Sequence, residues 1–600
     1  MSGRAILLAA ALSGASLTVL AQAPAKSADV TYAKDIAPIV NSQCIACHHS
    51  SGPAPFPLTT YAEVRSHAQQ IADVTRTHYM PPWLPDTQVS HFVDQLELSD
   101  AQIKTIQHWA ASGAQPGDLA SLPKPKEFPD GWQLGQPDLV LTSPKPWTMP
   151  ASSVDLYRNF VFTVPIDKVK YVRAVEIRPG NTRVVHHANV LIDRKQSSRK
   201  RDGEDGQPGF PGMDVALESD AFDPDSHFIY WKPGAVVWSE PEGLGWELDP
   251  GTDLVLNMHM QATGKQEIVQ PSLGIYFTDV KPTLHPMLLQ LDADEQLDIP
   301  AGASNFTVHD EFTLPVAVDV IAIYPHAHYL GHELDTYATL PNGKKQWLVK
   351  IPQWDQSWQG IYRYRDYIHL PKGTVISMKF TYDNSASNVR NPSNPPRRVT
   401  AGNSSTDEMA HVWLQVLPVP AEVDGQDARL YLQEALMRHT LEKRPKDFSA
   451  HFNMGALYMG EDKNAEAEQQ FKLALAVHPQ DAATLNSLAA AEQAQGATAE
   501  AVKHYHQAIA ADPMYVDAHF NLAMALIGSA DFAGAITELQ HVLELHPDDA
   551  GAEANLGAAY AQLSDWKNAE SHLRRAIALD PQNRAAQENL AIVLQNLPVP

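Results

Sequence analysis

Two cysteines and several paired histidines carry most of the chemistry open to this chain. The cysteines stand in Cys44-Ile45-Ala46-Cys47-His48. At that spacing two thiols reach both vinyl groups of one porphyrin, and the adjacent histidine sits beneath its iron. No second cysteine pair exists to complete a structural zinc site. The segment therefore reads as the attachment site of one covalent haem c, with His48 as proximal ligand. Met80, in HYMPPW, is the expected sixth ligand, because a thioether stabilises reduced iron; His67, His78 and His91 compete for that place.

Further along, His186-His187 lie in VVHHANVLID, His259 in LVLNMHMQATG, His326 and His328 in IYPHAHYLG, and Met409 in STDEMAHVWLQV. Residues two apart on a strand share a face, so His326 and His328 can grip one ion directly. Adjacent histidines point to opposite faces. For His186 and His187 to share an ion, the strand must bulge or end there, and His259 is the natural third ligand. Imidazole suits copper, and one thioether such as Met409 favours the cuprous state. The expectation is two copper sites, one all-nitrogen and one mixed nitrogen and sulfur. Taken singly, each cluster reads equally well as hydrogen-bonded structural histidine.

The elements that must position these groups are of three kinds. Around the cysteines the pattern is helical: Ser99 caps a helix whose apolar positions are Ile103, Ile106 and Trp109. It resembles the last helix of a small class I cytochrome c, and the domain is placed at 28–118. A proline-rich linker follows over 119–131. From Trp132 to about Pro420 the helical period gives way to short runs such as FVFTVPI and YVRAVEI between Pro, Gly, Asn and Asp. That length suits two all-β sandwiches, at 132–285 and 286–422.

The ordered set HHANVLID, LVLNMHMQATG, PHAHYLG, Tyr382-Asp-Asn-Ser385 and TDEM resembles the copper type II ascorbate-dependent monooxygenases, the family of peptidylglycine hydroxylating and dopamine β-monooxygenases. The resemblance implies paired jelly-roll-like sandwiches facing a cleft. It implies an electron-storing copper on His186, His187 and His259, and an oxygen-activating copper on His326, His328 and Met409. The implied reaction inserts one oxygen atom of O2 into a substrate C–H bond, with an ascorbate-like or cytochrome-delivered reductant. Peptide-amidating members carry an arginine two residues before the HxH pair and an asparagine and a tyrosine just after the methionine. Here Tyr324, His411 and Trp413 stand there. A bidentate carboxylate clamp is missing, and a neutral or aromatic substrate fits better. The animal enzymes are also rich in disulfides, whereas this chain has no cysteine to spare.

Prolines at 445, 479, 513, 547 and 581 recur every 34 residues, the tetratricopeptide period. Ala467, Ala501, Ala535 and Ala569 fit as close helix contacts, followed by Phe471, Tyr505, Leu539 and Leu573 as groove fillers. Four helix pairs and a final helix from about Arg584 to Asn596 are expected within an α-solenoid at 427–600. Such an array presents a concave face to a protein partner, or else caps or oligomerises its own chain.

The net charge of −25 over 600 residues argues against nucleic acid as a partner. Arg4, the apolar run Ala5–Leu20 and Val19-Leu-Ala-Gln-Ala23 read as a signal peptide over 1–23, with an uncleaved anchor as the alternative. No later stretch offers about 20 continuous apolar residues, so no membrane span is expected in the mature chain. The combined expectation is a multidomain periplasmic or secreted protein. It would be a copper-dependent monooxygenase in which the c-haem passes electrons from an external donor to two coppers, hydroxylating a small organic or peptide-like substrate. The alternative for the haem module is that it only docks or senses redox state. The rival reading of the whole chain is a non-catalytic haem and copper electron-transfer or copper-handling protein that docks a partner on its repeats.

Overall fold

The computed structural model describes residues 30–50, 52, 54–124, 131–151, 155–213, 215 and 227–597. The expected signal peptide and much of the expected linker lie outside them. The chain forms two compact units, Met1–Pro82 with Leu96–Phe128, and Trp83–Gln95 with Pro129–Pro600.

In the first unit, helices Ala37–Gln43, Tyr61–Ser66, Ala68–Arg76 and Asp100–Ala111 enclose a core of Ile36, Val40, Ile45, Val64, Ile103, Ile106 and Trp109. Ser99 and Gln102 form a reciprocal capping box at the start of the last helix, which satisfies two otherwise orphaned N–H groups. Residues 83–95, which the sequence places inside this domain, belong instead to the second unit. Phe92 is fully buried in a β core, bridges Tyr364, and is flanked by main-chain bonds from Asp86 to Lys350 and from Val93 to Arg363.

The second unit is β-rich, then helical. Its first β region has a sheet ordered Leu139–Thr142, Ser272–Thr278, Lys170–Arg178, Trp246–Leu248. The other is ordered Phe210–Pro211, Leu156–Thr163, Asp253–Met260, Val185–Asp193, Tyr230–Trp231. Phe160, Phe162, Val172, Trp246, Leu256 and Ile275 from both sheets share one core. In the second region one sheet is ordered Met287–Asp292, His411–Pro418, Val318–His326, Tyr362–Leu370. Its companion is ordered Phe306–Thr313, Val375–Tyr382, Gly331–Thr339, Lys345–Ile351, and Leu289, Val320, Leu334, Phe380 and Leu414 fill the space between. Each region is thus a two-sheet sandwich with its own core.

Helix Ala428–Lys443 joins the second sandwich to the repeats. Leu432 enters the sandwich core. His439 and Lys443 both contact Asp310 at 2.8 Å, and Arg444 pairs with Asp292. Four helix pairs follow, Phe448–Gly460 to Trp566–Leu579, closed by Arg584–Asn596. Asp447, Asp481, Asp549 and Asn583 cap the first helices of their repeats. The four expected alanines have no exposed surface. At Gly455 an added Cβ would lie 2.6 Å from Phe471, and at Gly557 one would lie 2.7 Å from Leu573, so glycine lets these two groove fillers seat closely. Among the described residues no helix is long and apolar enough to cross a membrane.

Candidate metal and haem sites

In the strand Asp253–Met260, Leu254, Leu256, Met258 and Met260 enter the sandwich core. By alternation His259 stands on the opposite face. His187 lies directly across from His259, and the pairing shifts register between Val185 and His187. This irregularity frees His186 from strict alternation, and His186 Nδ1 comes within 3.2 Å of His187 Nδ1. One nitrogen from each of the three rings lies within 4.8 Å of the others.

Hydrogen bonds show which nitrogens are free. His259 Nε2 is 3.0 Å from Asp155, which fixes the proton there and leaves the lone pair on Nδ1. That Nδ1 is buried and has no hydrogen-bond partner, an arrangement that is costly unless something binds it. Tyr157 stacks on His259 at 4.5 Å and locks the ring. Burial, then the neighbouring His259, lowers the pKa of His186 to about 4; the same causes hold His187 well below its ordinary value. Both are therefore neutral, the form that ligates a metal.

The second cluster lies at the end of the strand Val318–His326, with His328 in the turn beyond. The ring centroids of His326 and His328 are 5.2 Å apart and nearly perpendicular. His326 Nδ1 donates to Gln359 Oε1 at 2.7 Å, and His328 Nδ1 donates to the Asp407 carbonyl at 3.1 Å. Each ring thus keeps Nε2 unprotonated. Burial lowers both pKa values. Met409 is tied to this turn through Glu408, whose carboxylate accepts from the main-chain N–H groups of His328 (2.8 Å), Leu330 (2.6 Å) and Met409 (3.3 Å). Burial pushes the Glu408 pKa up to about 8, against the lowering effect of those three donors. Tyr382 donates to the Met409 carbonyl at 2.7 Å. Tyr324 stacks on Trp413 at 5.4 Å, and His411 pairs with Asp294 at 2.8 Å.

In the first unit, His48 Nδ1 donates to the Phe56 carbonyl at 2.9 Å, leaving Nε2 for an axial bond. Cys44 and Cys47 are half-buried and form no disulfide, and burial raises the Cys44 pKa to about 12. These features fit thioether attachment and axial ligation. Met80 is half-buried just beyond the helix Ala68–Arg76. Among its competitors, His67 stacks on Phe56 at 3.9 Å, His78 is exposed with left-handed φ, and exposed His91 belongs to the other unit.

Asp155, Gln359 and Glu408 are the supporting residues that sequence reasoning missed. Only Glu408 had a signal, its place in TDEM beside Met409.

Models of the tetratricopeptide repeat match residues 493–563 and 554–585. The C-terminal region is a tetratricopeptide repeat array. None of the curated proteins matches this chain significantly. Among solved structures, a MamA protein is similar at 18% identity, over 26% of this chain and 84% of that one, with TM-score 0.25. YrrB, described as a TPR protein with an unusual peptide-binding site, is similar at 22% identity over 27% and 82%, with TM-score 0.25. The first TPR of Spaghetti (RPAP3), bound to an HSP90 peptide, shares 27% identity over 20% and 95%, with TM-score 0.20.

Proposed function

We propose that this chain is a haem-fused, copper-dependent monooxygenase of the type II ascorbate-dependent kind, hydroxylating a C–H bond of an uncharged organic substrate. The observation that carries this reading is the convergence of three imidazoles, with the buried His259 Nδ1 left unpartnered among them. Copper supplies single-electron oxygen chemistry at such sites, and a c-type haem on Cys44, Cys47 and His48 supplies the electrons that chemistry consumes.

The side chains do the remaining work. His186, His187 and His259 offer Nδ1 to one ion; His326 and His328 offer Nε2 to the other, with Met409 as a sulfur ligand. Asp155, Gln359 and the Asp407 carbonyl hold the remote ring protons of His259, His326 and His328, so that the other nitrogen of each of these rings keeps its lone pair. Glu408 holds the two halves of the second site together. Tyr324 and Trp413 supply aromatic surface without a cation, which suits a neutral substrate and leaves a carboxylate unmatched. The repeat array serves to dock a protein partner, and the readings as an exported protein and as a cytochrome c domain accompany this proposal.

The test is to load the protein with copper, supply reductant and isotopically labelled O2, and follow the label. Label in an organic product, lost in Met409→Ala with the haem spectrum intact, is the expected result. Label in water alone would instead favour the electron-transfer or copper-handling reading. Stopped-flow oxidation of the haem on adding copper tests the electron path; no oxidation would remove the haem from the reaction.

A further inference from the structure

The two histidine clusters are linked by a side chain that neither uses as a ligand. Gln359 follows the 3₁₀ turn Gln356–Trp358 and is 1% exposed. Its Oε1 accepts from the Tyr324 hydroxyl at 3.2 Å and from His326 Nδ1 at 2.7 Å. With two donors on that atom, the amide N–H group must face the other way. There it lies 3.4 Å from His187 Nδ1, across the gap between the sandwiches. The turn is held on several sides. Lys232 of the first sandwich donates to the carbonyls of Trp358 and Gln359, at 3.1 and 2.8 Å. Asp355 caps the turn at Ser357 and pairs with Arg390.

We propose that Gln359 is a positioning residue that acts on the two metal sites in opposite directions. It holds His326 as the Nδ1–H tautomer, freeing Nε2 for a metal, while its amide N–H competes with a metal for the Nδ1 lone pair of His187. The inference rests on the reading of both clusters as copper sites. Gln359 is not a ligand in either. One carboxamide strengthens the second site and weakens the first, so the two affinities are set against each other by a single rotamer. A side chain that served only to pack the sandwiches would, on removal, weaken both.

The experiment is a copper(I) titration of the full-length protein against a chromophoric chelator. His259→Ala isolates the second site, and His328→Ala isolates the first while sparing His326. In these backgrounds Gln359→Leu is expected to weaken the second site about 10–100-fold, the usual cost of losing a ligand's orienting partner. It should tighten the first about threefold, the worth of one weak hydrogen bond. Gln359→Glu keeps the acceptor and lacks the amide N–H. It should restore the second site while the first stays tight, and it decides the matter alone if the leucine variant does not fold. Equal weakening of both sites, or no change in either, overturns the proposal while leaving two copper sites standing. A wild-type protein that binds no copper overturns the reading of the clusters and this inference with it.

Discussion

The two histidine clusters use one residue type in opposite ways. In the first, a carboxylate holds His259 by Nε2 and leaves Nδ1 facing inward; in the second, a carboxamide and a main-chain carbonyl hold His326 and His328 by Nδ1 and leave Nε2 free. The nitrogen nearer the backbone brings an ion close to the strands, where a bulge and a cross-strand neighbour already crowd three rings together. The farther nitrogen sets an ion out from the strand end, where a residue from another segment can join. The proposed compact, all-nitrogen site and the proposed extended, mixed one differ in which ring atom carries the proton. In the proposed reading, the hydrogen-bond partners shape each site as much as the ligands do.

The largest effect should come from removing a ligand. His259→Ala is expected to abolish binding at the first cluster and leave the second, halving the copper content measured after dialysis. Loss of both ions would break the independence of the two sites. Next comes Glu408→Gln, which sets an amide N–H group against backbone N–H donors of the second site. A cost of about 3 kcal/mol is expected in denaturant unfolding, with copper lost from the second site and the first unaffected. Asp155→Asn removes the carboxylate behind His259 and should weaken the first site alone, about 10–100-fold in a chelator competition. The smallest effect belongs to Tyr382→Phe, which deletes one hydroxyl bonded to the Met409 carbonyl. A loss of about 1–2 kcal/mol in stability is expected, and the optical spectrum of cobalt substituted at the second site should shift slightly. No spectral change would show that the hydroxyl supports the loop without orienting the methionine.

Much of this arrangement was legible because it depends on local spacing. The repeats announced themselves by a 34-residue proline period, and the expected closing helix, 584–596, coincides with the one observed. For His186 and His187 to share an ion, alternation required the strand to bulge or end there, and a register shift occurs between Val185 and His187. The supporting residues were not legible in this way. Asp155 lies 104 positions from His259, and Gln359 lies 172 from His187 and 33 from His326. Nothing in an isolated Asp or Gln marks it as a partner. The segment 83–95 gave no signal either, because Phe92 looks the same in sequence whether it fills a helical core or a β core.

The sequence by itself determined which cysteine, histidine and methionine side chains are candidates for the proposed metal sites, the alternation that places them on faces and the repeat that stacks the helices. These are short-range properties, set by residue type and by the periods of strand and helix. Only the tertiary structure decided which nitrogen of each histidine is free, which segment closes the second β core and that one glutamine spans both clusters. Those depend on contacts between residues far apart in the chain, where a hydrogen-bond donor and acceptor meet only after both sandwiches have folded.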